Sequence, residues 1–380
     1  MKAALGDSTM TFIHQARSLD RSGRIGVVVV GCGYWGRNYA RVLGELPQSY
    51  VAAVCDESID RLGAIATAFP TVPVTNNLDQ ALALPGVQAA VVATPPTAHL
   101  DVAARCLSQG VHVLVEKPMA TNSEDAGALI QLAEDTGLTL MVGHTFVYNA
   151  GVRKLKEYLD NGAIGRLYYL YARRTNLGPI RTDVNAVWDL APHDISIFEY
   201  LLGSAPEWVS AIGASLLCEG NEDVGFVSLM YPNGIAAHMH LSWADPNKTR
   251  EVVVVGSEKR ILFNDLDPLE RVRVFDKGVS RIATEPATFG EFTFHQRDGD
   301  ILSPMVDASE PLKNECEHFV ECVRTGQRPL TDGHAGQRVV QVMEAIDESV
   351  RANGVPKRGP GAPAVPTREV ADASAAVAVH

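Results

Sequence analysis

The chain has 380 residues, 46% apolar and 21% charged, and its 33 basic and 45 acidic side chains give a net charge of −12. This is the composition of an ordinary globular protein long enough for two domains. An acidic balance with no polybasic run excludes nucleic acid and an anionic membrane surface as partners, and no apolar run reaches the ~18 residues of a membrane span. The six cysteines, Cys32, Cys55, Cys106, Cys218, Cys316 and Cys322, are scattered without metal spacing. Reduced thiols in a cytoplasmic protein and no bound metal are therefore expected.

Residues 1–23 are polar, lack the apolar stretch of a signal peptide and read as a flexible extension. Residues 24–36, RIGVVVVGCGYWG, follow. The mostly β-branched run 25–30 reads as a strand buried on both faces, and 34–46 reads as a helix. G-x-G-x-x-G thus lies between a strand and a helix, the context that makes it a dinucleotide fingerprint. Gly31 permits the tight turn, Gly33 lets a pyrophosphate approach the backbone, and Gly36 lets the helix pack close to the strand. A second strand, 50–55, ends at Asp56, twenty positions beyond Gly36. A carboxylate there accepts from the adenosine ribose hydroxyls and repels a 2′-phosphate, so NAD is expected and NADP disfavoured. Asp56 is also placed to cap the next helix.

Strands and helices then alternate. Helices are expected at 60–69, 78–84, 98–109 and 125–136, and strands at 72–74, 87–93, 111–115 and 138–143. This is the pattern of a doubly wound parallel sheet, and such sheets bind ligands beyond the carboxyl ends of their strands. Gly31, Asp56, Thr94, Lys117 and His144 all fall at those ends. The Rossmann domain is expected to occupy 24–145.

Past His144 the texture changes. A helix at 151–161 leads to an alternating strand at 165–175 and a helix at 193–202. Strands follow at 208–217, 224–231, 235–243, 250–256, 260–264 and 272–276, with short connections that favour antiparallel hairpins. Residues 277–311 read as irregular, and helices at 312–325 and 333–353 close the fold. Residues 146–356 form an α+β domain with a large, mostly antiparallel, open-faced sheet, and its alternating apolar positions predict cover by a second copy in a homodimer or homotetramer. Residues 357–380 read as a disordered tail.

Several residues carry candidate chemistry. Lys117 follows a buried strand and precedes Pro118, with which a cis bond is expected. Partial desolvation suits it to exchange a proton with a substrate hydroxyl. Pro192 suits the first turn of a helix, which predicts His193 at a helix N-terminus, held neutral by the dipole and able to act as a base. Asp189 is placed to orient that ring or to bind a substrate hydroxyl. His144 is a candidate substrate contact or a core residue. The segment 173–181, RRTNLGPIR, offers Arg174, Asn176 and Arg181 for a phosphate or diphosphate, with solvated strand residues as the alternative. Trp243 and Lys248 are candidates for a wall and a further cation.

These residues together resemble the glucose–fructose oxidoreductase / inositol dehydrogenase / rhizopine-catabolism (Gfo/Idh/MocA) family. The resemblance runs through Gly31-Cys32-Gly33-Tyr34-Trp35-Gly36, Ala93-Thr94-Pro95-Pro96 with His99, Glu116-Lys117-Pro118, Asp189-Leu190-Ala191-Pro192-His193 and Pro329-Leu330-Thr331-Asp332-Gly333. It implies that Tyr34, Trp35, Thr94, Pro95, His99, Glu116 and Lys117 join the glycines and Asp56 around the cofactor. It also implies hydride transfer between NAD(P) and a secondary alcohol of a sugar or cyclitol, with Lys117, His193 and Asp189 handling the proton. The stretch Arg-x-Asn-Leu-Gly before Trp-Asp-Leu-x-Pro-His-Asp looks like members acting at C3 of nucleotide-linked hexoses. The alternatives are a dehydrogenase of a free sugar, glycoside or inositol, a redox-assisted glycosidase, and a regulator that senses NAD or sugar without turnover.

Overall fold

The computed structural model describes residues 11–12, 23–178, 180–181, 184–217, 219–281 and 294–363. The first unit holds β1 (Thr11–Phe12), β2 (Ile25–Val30), α1 (Tyr34–Glu45), β3 (Ser49–Cys55), α2 (Ile59–Ala68), β4 (Val74–Thr75), α3 (Leu78–Leu82), β5 (Val87–Val92), α4 (His99–Ser108), β6 (His112–Glu116), α5 (Ser123–Thr136) and β7 (Leu140–Gly143). The spatial order of its sheet is β1-β4-β3-β2-β5-β6-β7. All neighbours are parallel except the edge strand β1, which runs antiparallel to β4. Leaving β1 aside, this is the doubly wound order, whose crevice opens where β2 and β5 send their connections to opposite faces. Every residue of β2 is buried because side chains alternate between two cores. Val27 and Val29 join Tyr39, Val42 and Leu43 of α1, while Val28 and Val30 join residues of α4 and α5.

The second unit holds α6 (Ala150–Asp160), β8 (Leu167–Leu177), α7 (Ala186–Leu202), β9 (Trp208–Ala214), β10 (Val224–Tyr231), β11 (Ile235–Ser242), β12 (Ala244–Gly256), β13 (Arg260–Asn264), β14 (Val272–Phe275), β15 (Gly278–Arg281), β16 (Phe294–Arg297) and β17 (Ile301–Leu302). Two helices and an edge strand end the described chain, α8 (Pro311–Thr325), α9 (Gly333–Arg351) and β18 (Lys357–Arg358). Nine strands form one sheet in the order β17-β14-β13-β12-β8-β11-β10-β9-β18. The β8–β11 pair is parallel, and the other pairs are antiparallel. One face packs Leu170, Val227, Met239 and Val252 against α7 and α9. The other presents Tyr169, Ile212 and Phe226, which are 45%, 61% and 45% exposed. Phe226 stacks on His240 with centroids 4.7 Å apart.

Four expectations need correction here. First, the helix predicted at 193–202 starts at Ala186. The Asn185 side chain caps it by accepting from Trp188 N at 2.8 Å. Pro192 lies inside it and only removes the donor that would reach the Trp188 carbonyl. Second, α8 does not belong to the second domain's core: Leu312, Cys316, Phe319 and Val320 pack with β2 and α1. α9 serves both units, with Gly333 and Gly336 against Leu140 and Val142 and Val342 and Met343 in the second core. The boundary at 145 is therefore crossed twice. Third, residues 357–363 are not a loose tail. β18 extends the large sheet beside β9, and Gly361 N donates to Pro206 O at 2.9 Å. Fourth, the stretch 277–311 contains the antiparallel pair β15–β16 and the edge strand β17. Within the expected N-terminal extension, Thr11 and Phe12 pair with β4; its other residues up to 22, and the tail from 364, lie outside the described residues.

Candidate active site

A cleft of 820 Å³ runs along the carboxyl ends of the parallel strands, from Asp56 past Gly31 and Gly33 to Lys117, and is closed at its far end by Arg181, Trp188 and Asp189 of the second unit. Gly31 takes φ +85°, and a Cβ on it would stand 2.6 Å from Ala93 O. A Cβ on Gly36 would stand 1.8 Å from Gly31 O, whereas one on Gly33 would meet nothing within 4 Å. Side chains are thus excluded at the turn and at the helix contact, and open space is left over Gly33. No side chain caps the α1 N-terminus at Gly33, so its first N–H groups face that space and suit a diphosphate.

Asp56 anchors the same loop. Its Oδ2 accepts from Cys32 N at 2.7 Å and its Oδ1 from Ser58 N at 2.8 Å, and it lines the cleft. The cap of α2 is Ser58 rather than Asp56. Arg61 Nη1 lies 3.8 Å from the Asp56 carboxylate. Desolvation, reinforced by Asp56, pushes the Cys32 thiol up to about 12. Thr94, Pro95, Glu116 and Trp35 line the cleft. Tyr34 is 78% exposed and outside the cleft wall.

His99 does not reach the cofactor cleft. It is fully buried, with Nδ1 2.8 Å from Pro118 O and Nε2 2.9 Å from Thr94 O. It fastens the two loops that carry Thr94 and Lys117, a structural rather than a contact role. The Lys117–Pro118 bond is cis.

Lys117 Nζ donates to Asp189 O at 2.9 Å and lies 3.4 Å from Asp189 Oδ1. Arg181 Nη1 lies 3.1 Å from the same carboxylate oxygen. One carboxylate thus holds two cations from different elements at the inner end of the cleft. Two histidines complete the cluster. His144 is buried, and neither ring nitrogen has a partner among the described residues. Burial, with Lys117 close by, takes its pKa down to about 3. His193 also titrates well below the usual histidine range, first through desolvation and then through Lys117 and Arg174. Its Nδ1 is buried and unpartnered among the described residues. The expectation of a neutral His193 therefore holds for a different reason: the residue is in the middle of α7, and burial and nearby cations replace the helix dipole.

The arginine clasp is dispersed. Arg174 turns inward, with Nη2 2.7 Å from Asp194 Oδ1 and Nε 3.1 Å from Oδ2. Its Cζ lies 4.3 Å from the Phe146 centroid, and the Phe146 ring meets His193 edge-on at 5.0 Å. Arg174 thus stands behind the histidine and supports it electrostatically rather than facing a phosphate. Arg173 points to the opposite face of β8. Asn176 is half-buried at the carboxyl end of β8. Trp243 is core, 1% exposed, so it forms no substrate wall; a Cβ on Gly178 would come within 3.0 Å of its ring. Phe146, Trp188 and Asp194 were missed as site residues. The Trp-Asp-Leu-x-Pro-His-Asp run contains two of them, and they share one helix only once Pro192 is accepted inside it.

A glycine loop with an uncapped helix start, a carboxylate in the cleft at the end of β3 and a lysine beside neutral histidines are the parts of a nicotinamide-dependent oxidoreductase. Residues 25–144 match the profile of the GFO/IDH/MocA oxidoreductase family, NAD-binding Rossmann fold, and residues 152–262 that of the GFO/IDH/MocA C-terminal domain. The chain belongs to this family, uses NAD, and acts on CH–OH groups of sugars. It is 27% identical over 330 residues to a UDP-N-acetylglucosamine 3-dehydrogenase of Acidithiobacillus ferrooxidans, covering 85% of this chain and 96% of the relative. It is 25% identical to the scyllo-inositol 2-dehydrogenase (NAD(+)) of Bacillus subtilis, covering 86% and 94%. The structure of GenD2 from gentamicin A biosynthesis in complex with NAD superposes with a TM-score of 0.74 at 27% identity, covering 90% of this chain and 98% of that one.

Proposed function

We propose that this protein oxidises the C3 hydroxyl of a nucleotide-linked hexose to the ketone, with NAD as hydride acceptor. The observation that carries the chemistry is the meeting of Lys117, Asp189 and a neutral His193 where the two units close the cleft. NAD, held by the Gly31–Gly36 loop and Asp56, supplies the hydride acceptor. Lys117 Nζ, positioned by the Asp189 carbonyl and carboxylate, donates to the substrate oxygen and steadies its charge as the ketone forms. His193 offers a neutral ring for the departing proton, and Phe146 keeps that ring upright. Trp188 and Thr94 narrow the cleft and exclude water. The nucleotide linkage is supported by the likeness to the UDP-N-acetylglucosamine 3-dehydrogenase and by the Arg181 cation in the wall of the cleft.

The inward turn of Arg174 favours a second reading, a free sugar or cyclitol as substrate. The assay follows reduced nicotinamide by absorbance, with NAD against UDP-N-acetylglucosamine, UDP-glucose, glucose and myo-inositol. Turnover with UDP-sugars alone, with KM raised by Arg181→Met, supports the first reading. Turnover with free glucose or inositol alone refutes it. The reading also includes a cytoplasmic homo-oligomer in which a second copy covers the open face of the large sheet at Tyr169, Ile212 and Phe226. Replacing Phe226 by Glu should lower the mass measured by light scattering to that of a monomer; an unchanged mass counts against that interface.

A further inference from the structure

Behind Lys117 lies a buried pair of carboxyl groups that the reaction above does not use. Glu116 ends β6 and is 7% exposed; Glu315, on α8, is fully buried. Tyr39 of α1 stands between them, its Oη 2.8 Å from Glu116 Oε1 and 3.3 Å from Glu315 Oε2. Thr145 Oγ1 donates to Glu315 Oε2 at 3.0 Å, Lys117 N donates to Glu116 Oε2 at 3.1 Å, and Glu315 Oε1 is buried with no partner among the described residues.

Hydrogen accounting decides what this arrangement is. A tyrosine hydroxyl has one proton and cannot donate to two carboxylates at once. Either one contact is two lone-pair oxygens facing each other in a dry site, or one carboxyl is protonated. Two buried carboxylates so close together also cannot both ionise. Of the titratable groups around them, the Lys117 cation acts on Glu116, and no cation acts on Glu315 among the described residues. Cys316 neighbours Glu315 and is itself held protonated by burial, with Glu310 at the start of α8 and Glu317 on it adding negative charge. Tyr39 is likewise held as the phenol.

We infer that Glu116 and Glu315 share one proton through Tyr39, forming a chain along which a single negative charge moves toward or away from Lys117 as the charge in the nicotinamide end of the cleft changes. In one state Glu315 Oε2–H donates to Tyr39 Oη, and Tyr39 O–H donates to the Glu116 carboxylate. In the other, Tyr39 has passed its proton to Glu116 Oε1 and taken that of Glu315, leaving Glu315 ionised. One O–H bond breaks and one forms at each step, and no net proton enters. With cation beside it, Glu116 carries the charge; when the nicotinamide becomes neutral on reduction, the charge retreats to Glu315. Glu315 and Tyr39 are positioning residues acting through Glu116. Burial raises the carboxyl pKa of both glutamates, most strongly that of Glu315, beside which Glu116 adds like charge.

The inference rests on the reading that places Lys117 beside the nicotinamide, but its test needs only NAD, no sugar. Infrared difference spectra of the full-length protein are recorded between its NAD- and NADH-bound forms, with cofactor binding followed separately by fluorescence. The wild type should show a protonated-carboxyl carbonyl band that shifts between the two forms, because the proton changes host. Glu315→Gln and Tyr39→Phe should both keep cofactor binding and lose that shift. Absence of a protonated-carboxyl band in wild type, or an identical shift in Tyr39→Phe, overturns the shared proton. Loss of cofactor binding in wild type would instead refute the placement of NAD. If Glu315→Gln fails to fold, Tyr39→Phe decides alone.

Discussion

Removing the Asp194 carboxylate should destabilise the whole second unit, because it strands a buried guanidinium. The Arg174 and Asp194 side chains are 6% and 1% exposed, and they meet at 2.7 Å. Breaking such a pair from one side costs about 3–5 kcal/mol, whereas replacing both partners by apolar groups of similar volume is often neutral. Unfolding entropy near 60 °C is about 2.1 cal/mol/K per residue, or roughly 0.8 kcal/mol/K for this chain, so the loss corresponds to a Tm drop of about 4–6 °C. Asp194→Ala, Arg174→Met and the double variant Arg174→Met/Asp194→Leu are compared by scanning calorimetry. The single Asp194 variant should fall by that amount, and the double variant should recover most of it. It should not recover full turnover, since Phe146 loses the cation over its ring and His193 its electrostatic support. A single variant within 1 °C of wild type, or a double variant as unstable as the single, would refute the view that stranded charge is what costs.

Three further outcomes are expected. Lys117→Ala should lower kcat/KM by about 10²–10⁴-fold while NADH affinity stays close to wild type in a fluorescence titration; full turnover would remove Lys117 from the chemistry. Asp56→Ala should weaken NAD about 10–100-fold through loss of a charged acceptor, and NADP less; equal weakening of both would leave Asp56 only its ties to Cys32 and Ser58. Stability should fall as pH drops from about 6.5 toward 3, because His144 is held neutral in the fold, with a pKa of about 3, and gains its proton readily once unfolded. His144→Gln should flatten that slope in a Tm series from pH 7 to 4. Glu199, whose pKa burial raises to about 7, has the opposite sign and loses its contribution as pH rises toward 7, so the difference between wild type and His144→Gln is the quantity to read.

The parts of the site that were legible in the sequence are those set by local pattern. The buried strand before Gly31, the turn glycines and the acid at Asp56 are consequences of a few consecutive residues, and the lysine after β6 follows from where a buried strand ends. What escaped depended on a side chain's partner far along the chain. Arg174 and Arg173 are neighbours in sequence, yet strand alternation sends one into the core and the other to the open face, and only the arrival of Asp194 on α7 fixes which. His193 was placed at a helix start because proline is a common opener there; the Asn185 cap, seven residues earlier, outweighed that preference. The apolar stripes of α8 and α9 announced that each would cover something, but helical periodicity does not say which sheet. Glu315 offered no signal at all, since its partners Tyr39 and Glu116 are 276 and 199 positions away.

The return of α8 to the first sheet has a consequence for how the chain is made. Phe319 and Val320 cover β2 and α1, so the nucleotide-binding half, though synthesised first, cannot complete its core while its own residues alone have left the ribosome. During synthesis of the next 170 or so residues, an apolar face of α1 stays open to water and to chaperones. The half that emerges first is therefore among the last to be finished, and a nascent chain arrested before α8 presents that face as its aggregation surface.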